Sequence, residues 1–596
     1  MLGLTRKRLA IQGVLISSGL VCLVLGIVFN NLVDFFIREE LKKQLPLHNG
    51  TTAFKFWQQP PVPVKFGIYV FHIVNPAEIL QTGEPPAVVE MGPYVYSMHI
   101  EKTDIRWHDN NTVEYVQPQR FIFNREESVG PDTDTFRTVN IPYIAAATVL
   151  QGESPILQDS VDIYFRSQGE DTFMNRSVYE IWWGYEDPVL EEVAKILEKF
   201  NKSSPMFNGK FGFFMNKNNT GDGLYNVYSG LNEQFDNYVL IDRWNGQKNL
   251  SVWHSDYANG IRGTDGSMHP PYVNAESQLS VFDAYLIRSL KLQYSIDSSY
   301  LGVNTLRFLV PYSEFASGDE NPDNVGFCTP NCIPSGAYNM SVVCYDAPIY
   351  VSLPHFAGGD SYYRSMVRGL MPVQSLHQPF YDIQPITGVS MRAARRYQLN
   401  IRTQSFEHFL KFQSFPVSYL PILWIDGVAE IDTDTAAMFK RMIQDTLDVI
   451  PYIRWAVFAI GVILLLISTL LFIYWKKKII KNSLKYNIIE DSGSSAVNHG
   501  DGKSYGTFNS SLNAQSDDSV AIVHNSPAGT DVSEAIVHSS PPGGAGVSML
   551  ADDSLSHARS DSSVHDVSVH DQSVYFDTMT SPSLLHSETD QSFQDA

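Results

Sequence analysis

Two uncharged apolar runs, residues 10–29 and 455–475, stand near the two ends of the chain. Each has about the 20 residues that a helix needs to cross the hydrocarbon core, and a helix satisfies its own backbone donors there. Neither run has a polar face, which argues against a soluble helix. A cleaved signal peptide is the competing reading of the first. That run outlasts a usual signal core, and Asn30, Asn31, Leu32 and Val33 offer no small-residue cleavage site. Both runs therefore read as membrane helices. Between them, alternation and β-branched or aromatic content predict strands at 112–116, 211–215, 349–353, 397–401 and 421–425. Helices are predicted at 154–165, at 435–447, and after Asp187-Pro188. There Val189, Leu190, Val193, Ile196, Leu197 and Phe200 form an apolar stripe. The fold class is mainly β with α, a large antiparallel sheet or barrel.

Charge orients this arrangement. Arg6, Lys7 and Arg8 precede the first run, and Lys476, Lys477, Lys478 and Lys481 follow the second. The positive-inside bias puts residues 1–9 and 476–596 in the cytosol and residues 30–454 outside the cell or in a lumen. Sequons at Asn49, Asn110, Asn175, Asn201, Asn218, Asn249 and Asn339 all fall in that exofacial segment, where they are accessible to glycosylation. One at Asn509 falls in the tail and is expected to stay bare. Of the net charge of −21, much belongs to the tail, where 16 acidic residues face only Lys503 and Arg559 after position 489. Ser, Asp, His and Gly dominate there, with near-repeats such as AIVHNSP and AIVHSSP, a composition expected to remain disordered. No basic stripe exists to bind nucleic acid.

Catalytic and metal chemistry find little support. No G-x-S-x-G, H-E-x-x-H or Walker pattern is present. Gly260, Gly263 and Gly266 have the wrong spacing for a phosphate loop and read as a turn, and His355 reads as a hydrogen-bonded core histidine. Cys22 lies in the first membrane run, in a small apolar role or as a palmitoylation site. Cys328, Cys332 and Cys344 cluster with no histidine at zinc-finger spacing, and three thiols cannot all pair internally. No cofactor or metal is expected.

Read in order, IWWGYEDP (181–188), NGIRGTDG with the following HPP, NPDNVGFC (321–328), APIYVSLPHF (347–356) and YDIQPITGVSMRAARRYQLNI (381–401) resemble the class B scavenger receptor family across residues 1–475. The resemblance implies an ectodomain built on an antiparallel β-barrel, an apical helical bundle, and an apolar tunnel leading lipid toward the bilayer. Helix 154–165 falls where the family places its apical ligand-binding helix, so Ile156, Leu157, Val161, Ile163 and Tyr164 become apical binding candidates. Glu153, Asp159, Asp162, Glu170 and Asp171 surround a lone Arg166, a sign that would repel anionic particles. Cys328 and Cys332 fall on a family disulfide. The family partner of Cys344 falls at Ile287, which leaves Cys344 free or bonded between molecules. In the tail, Tyr486 to Ile489 and Tyr505 to Phe508 fit Y-x-x-Φ signals for endocytic adaptors.

The expected function is a non-enzymatic, two-pass glycoprotein receptor of the plasma membrane, the lysosomal membrane or both. Its ligands are expected to be fatty acid, sterol, phospholipid or lipoprotein-like particles, with a protein ligand at the apex as a further partner. A trafficking receptor for a soluble hydrolase is the principal alternative. A two-pass ion-channel subunit and an ectodomain hydrolase rank below it.

Overall fold

A computed structural model describes residues 6–200 and 209–494, with side-chain surroundings defined as far as Lys485. Five helices matter to function: α1 (Arg6–Gln44), α2 (Ile141–Val149), α3 (Pro155–Ser167), α4 (Pro188–Lys199) and α5 (Asp445–Ser494). Two compact units are distinguished, one ending at Phe472 and the other beginning at Ile473, whose described part is the end of α5.

The helix α1 is about 58 Å long at 1.5 Å per residue. It outruns a bilayer core of about 30 Å, and its last two turns are accordingly charged, with Lys42 paired to Glu39 at 2.7 Å. It packs antiparallel against α5 through small residues. A Cβ at Gly461 would lie 2.9 Å from the Gly19 carbonyl oxygen and 3.1 Å from the Cys22 Cβ, so any larger residue there must push the helices apart by a few tenths of an ångström. The Gln12 amide donates to the Ser468 carbonyl at 3.0 Å and to its hydroxyl at 3.2 Å, supplying a polar contact between the helices.

Eleven strands form the principal sheet: β1 (Val64–Ile73), β2 (Val88–Ile100), β3 (Gln119–Asn124), β4 (Leu279–Asp283), β5 (Arg288–Tyr300), β6 (Val303–Leu309), β7 (Ala337–Asn339), β8 (Ile349–Ser352), β9 (Phe380–Ile383), β10 (Ser390–Thr403) and β11 (Ser418–Glu430). Their order is β4-β5-β6-β9-β10-β11-β1-β2-β3, with β7 and β8 joining through β10. Every ladder is antiparallel. The expected barrel is not closed, because β3 and β4 do not pair with each other. Each edge is covered by a loop instead: Asn218 and Thr220 bond to β3, and Thr264 bonds alongside β4. The turn at Gly263 and Gly266 supplies the second cover, and a Cβ at Gly263 would lie 1.9 Å from the Ser280 carbonyl oxygen.

The predicted strands at 112–116, 349–353, 397–401 and 421–425 form as expected. The one at 211–215 shrinks to Lys210–Phe211 and continues as a turn. Phe213 and Phe214 there donate their N–H groups to the Ile181 and Trp182 carbonyls, capping a short helix rather than joining a ladder. The helix after Asp187 forms as predicted, its cap side chain accepting from the Val189 and Leu190 N–H groups.

Candidate functional site

Strand alternation builds the site's floor. On β10, Tyr397, Leu399 and Ile401 share one face. In register beside them stand Ile425 of β11, opposite Tyr397, and Val351 and Ile349 of β8, opposite Leu399 and Ile401. These six side chains line a cavity of about 730 Å³. Ile141, Pro142 and Ala145 of α2 and Leu190 of α4 close it on the helical side. Phe211, Phe213, Phe214 and Met215, with the loop from Met340 to Ala347, form its walls. The exposed Lys210 and Tyr345 mark where the lining reaches the surface, with Lys217 also in the lining. A space of this size, mostly apolar with some polar groups in its lining, suits a small hydrophobic ligand.

Cys344 is unpaired and lines this cavity together with Ile287, the residue where its family partner was expected. Burial pushes its thiol up to about 12, which keeps it protonated at neutral pH. Cys328 and Cys332 are joined as a disulfide.

The apical candidates divide. Leu157 and Val161 are buried in the core, Tyr164 packs against it half-buried, and Ile156 and Ile163 stand 70 % and 58 % exposed. None of the five lines the cavity. Asp162 is not part of an acidic apical surface. It is 2 % exposed, accepts from the Tyr143 hydroxyl at 2.5 Å and pairs with Arg166 at 2.7 Å. Asp159 is exposed and meets His408 at 3.0 Å.

Asn49, Asn110, Asn175, Asn218 and Asn249 are exposed. Asn339 is buried, its amide donating to the Thr329 carbonyl at 2.8 Å, which leaves that nitrogen no room for a glycan. Asn201, Asn509, Tyr505 and Phe508 lie outside the described residues, as do the side chains of Tyr486 and Ile489. His355 sits in the core with Glu90 at 2.6 Å from its Nε2, and its Nδ1 accepts from the Met371 N–H. Among the described residues no cluster of metal-ligating side chains occurs.

Comparison with known proteins agrees with this architecture. The CD36 family model matches residues 17–472. Scavenger receptor class B member 1 of Bos taurus is 33 % identical over 449 residues, covering 75 % of this chain and 87 % of that protein. Lysosome membrane protein 2 of Homo sapiens is 35 % identical over 454 residues, covering 75 % of this chain and 91 % of that protein. With two membrane-length helices bracketing the sheet domain and a family match over most of its length, the chain belongs to the CD36 family.

Proposed function

We propose that this protein is a membrane receptor that takes up lipid into its ectodomain and passes it toward the bilayer. The observation that supports this most is the apolar cavity of about 730 Å³, placed in a domain tethered at both ends by membrane-length helices. Burial holds the ligand: each methylene kept out of water in such a space is worth about 0.8 kcal/mol, so a chain that leaves a particle can cross to the membrane without being exposed to solvent and without covalent chemistry. Conduction toward the membrane along a tunnel inside the sheet is the route proposed here. Glycans are proposed at Asn49, Asn110, Asn175, Asn218 and Asn249, and endocytic adaptors at the tail signals.

Mass spectrometry of lipids that copurify with the secreted 30–450 ectodomain tests the reading. Recovery of stoichiometric lipid is expected, and Cys344→Trp, which intrudes on the cavity of about 730 Å³ from its wall, should reduce it. An ectodomain that yields no lipid and binds no added fatty acid or sterol refutes the proposal. A second reading, a trafficking receptor for a soluble protein, draws on Ile156 and Ile163, exposed on one face of α3. It predicts a partner that co-precipitates at neutral but not at acidic pH.

A further inference from the structure

The uncharged segment GLMPVQSL (369–376) leaves Met371, Val373 and Leu376 exposed. It leads into a one-turn helix, Gln374–His377, whose His377 ring packs on Trp424 of β11. Trp424 alternates with Ile425, which lines the cavity, so the segment lies over the opposite face of the sheet. Arg368 before it is fixed by the backbone of Pro86 and Val88, and Gln378 after it by Val310 and Arg396. Between these anchors support is sparse. Among the described residues, 369–373 make one hydrogen bond outside 369–378: the Met371 N–H donates to His355 Nδ1 at 3.1 Å. Two residues on, the Val373 N–H donates to His377 Nδ1 at 3.0 Å.

The two imidazoles act as one unit, stacked with ring centres 4.5 Å apart. Glu90 of β2 accepts from His355 Nε2 at 2.6 Å and from Trp424 Nε1 at 2.8 Å, which leaves His355 Nδ1 the lone pair that Met371 uses. His355 is fixed independently of the segment: its N–H donates to Gln398 Oε1 at 2.7 Å, and Phe71 of β1 meets its ring edge-on. Around His377 stand His355, Glu90 and Arg396 of β10, the last paired with Asp426 at 2.8 Å. Both bonds to the segment need a neutral ring. A proton on either Nδ1 sets N–H against N–H, and charge on one ring resists charge on the other. Burial first, then His355 and Arg396, lower His377 to about 4 while Glu90 opposes them. With the ring released into water the proton binds at about 6.5. Opening is therefore favoured as pH falls below 6.5 and levels off below 4.

We propose that residues 369–376 form an acid-released strap, held at neutral pH by the lone pairs of the stacked His355 and His377 and freed in an acidic lumen when the pair is protonated. Its release uncovers Trp424, which is buried, and the Tyr69 ring stacked on it at 4.0 Å. The strap lies away from the cavity, so the device works whether or not lipid is bound. It is also remote in sequence from the apical helix α3 and uses none of its residues.

Full-length protein in amphipol is followed by hydrogen–deuterium exchange and mass spectrometry at pH 7.5 and pH 5, with rates corrected for the intrinsic pH dependence of exchange. Peptides covering 369–376 are expected to lose protection on the order of twentyfold at pH 5, while peptides of β10 and β11 keep theirs. His377→Asn places an amide oxygen where Nδ1 stood, an acceptor that takes no proton, so its strap should stay protected at pH 5. His355→Asn makes the same test at the other lone pair if the first variant does not fold. Equal protection of 369–376 at both pH values in wild type overturns the proposal. So does a uniform loss across the ectodomain, or a strap that loosens in acid in the folded Asn variant as it does in wild type.

Discussion

Asp162 illustrates how one carboxylate's role turns on where its helix faces. Its two oxygens take the Tyr143 hydroxyl and the Arg166 guanidinium, while Tyr143 is itself fully buried against Phe165 at 4.2 Å. Asp162→Ala strands that hydroxyl and should cost about 2–3 kcal/mol in denaturant unfolding. Asp159→Ala, at the exposed surface, should cost less than about 1 kcal/mol. Charge reversal to probe capture of anionic particles therefore belongs at Asp159 alone. His377 gives a second handle. Burial, followed by the neighbouring His355 and Arg396 and opposed by Glu90, lowers it from 6.5 to about 4. The unfolded chain binds this proton first, so stability is full above pH 6.5 and falls as pH drops toward 4. At pH 5 the loss should be about 2 kcal/mol, and His377→Gln should flatten the unfolding profile between pH 7 and 5 by that amount.

At the level of elements, periodicity was a good guide wherever a ladder or a membrane decided the outcome. The alternation of 397–401 placed β10, and the Asp187-Pro188 pair placed the start of α4. It failed at 211–215, where β-rich composition met a helix end whose carbonyls needed donors, a tertiary demand that no local pattern carries. Asp162 was misjudged because charge alone does not tell which face of α3 packs on α2. The cavity itself was not legible, because its lining comes from segments more than 200 residues apart. The close approach of α1 and α5 yields its own prediction. Gly461→Cys should oxidise with the native Cys22, whose Cβ lies 3.1 Å from the position a new Cβ would take, with a few tenths of an ångström of opening to reach disulfide geometry. Gly13→Cys, with nothing within 4 Å, should not. After proteolysis of the ectodomain, gel mobility with and without reductant distinguishes the two variants.

For the whole molecule, the two-pass arrangement sets which asparagines meet the glycosylation machinery. Site-resolved mass spectrometry should find sugar on Asn110 and Asn249, both exposed, and none on Asn509 or on the buried Asn339. Sugar on Asn509 with Asn110 and Asn249 bare would invert the topology. The paired tethers carry a further consequence. Just beyond them, β1 and β11 are zipped in register from Lys65 opposite Val428 to Val70 opposite Leu423, and the membrane helices touch through Gln12 and Ser468. A protease that cuts one stalk leaves the other in place, along with both of these contacts. Shedding into the surrounding fluid thus demands two separate cleavages, and a singly nicked receptor stays at its post.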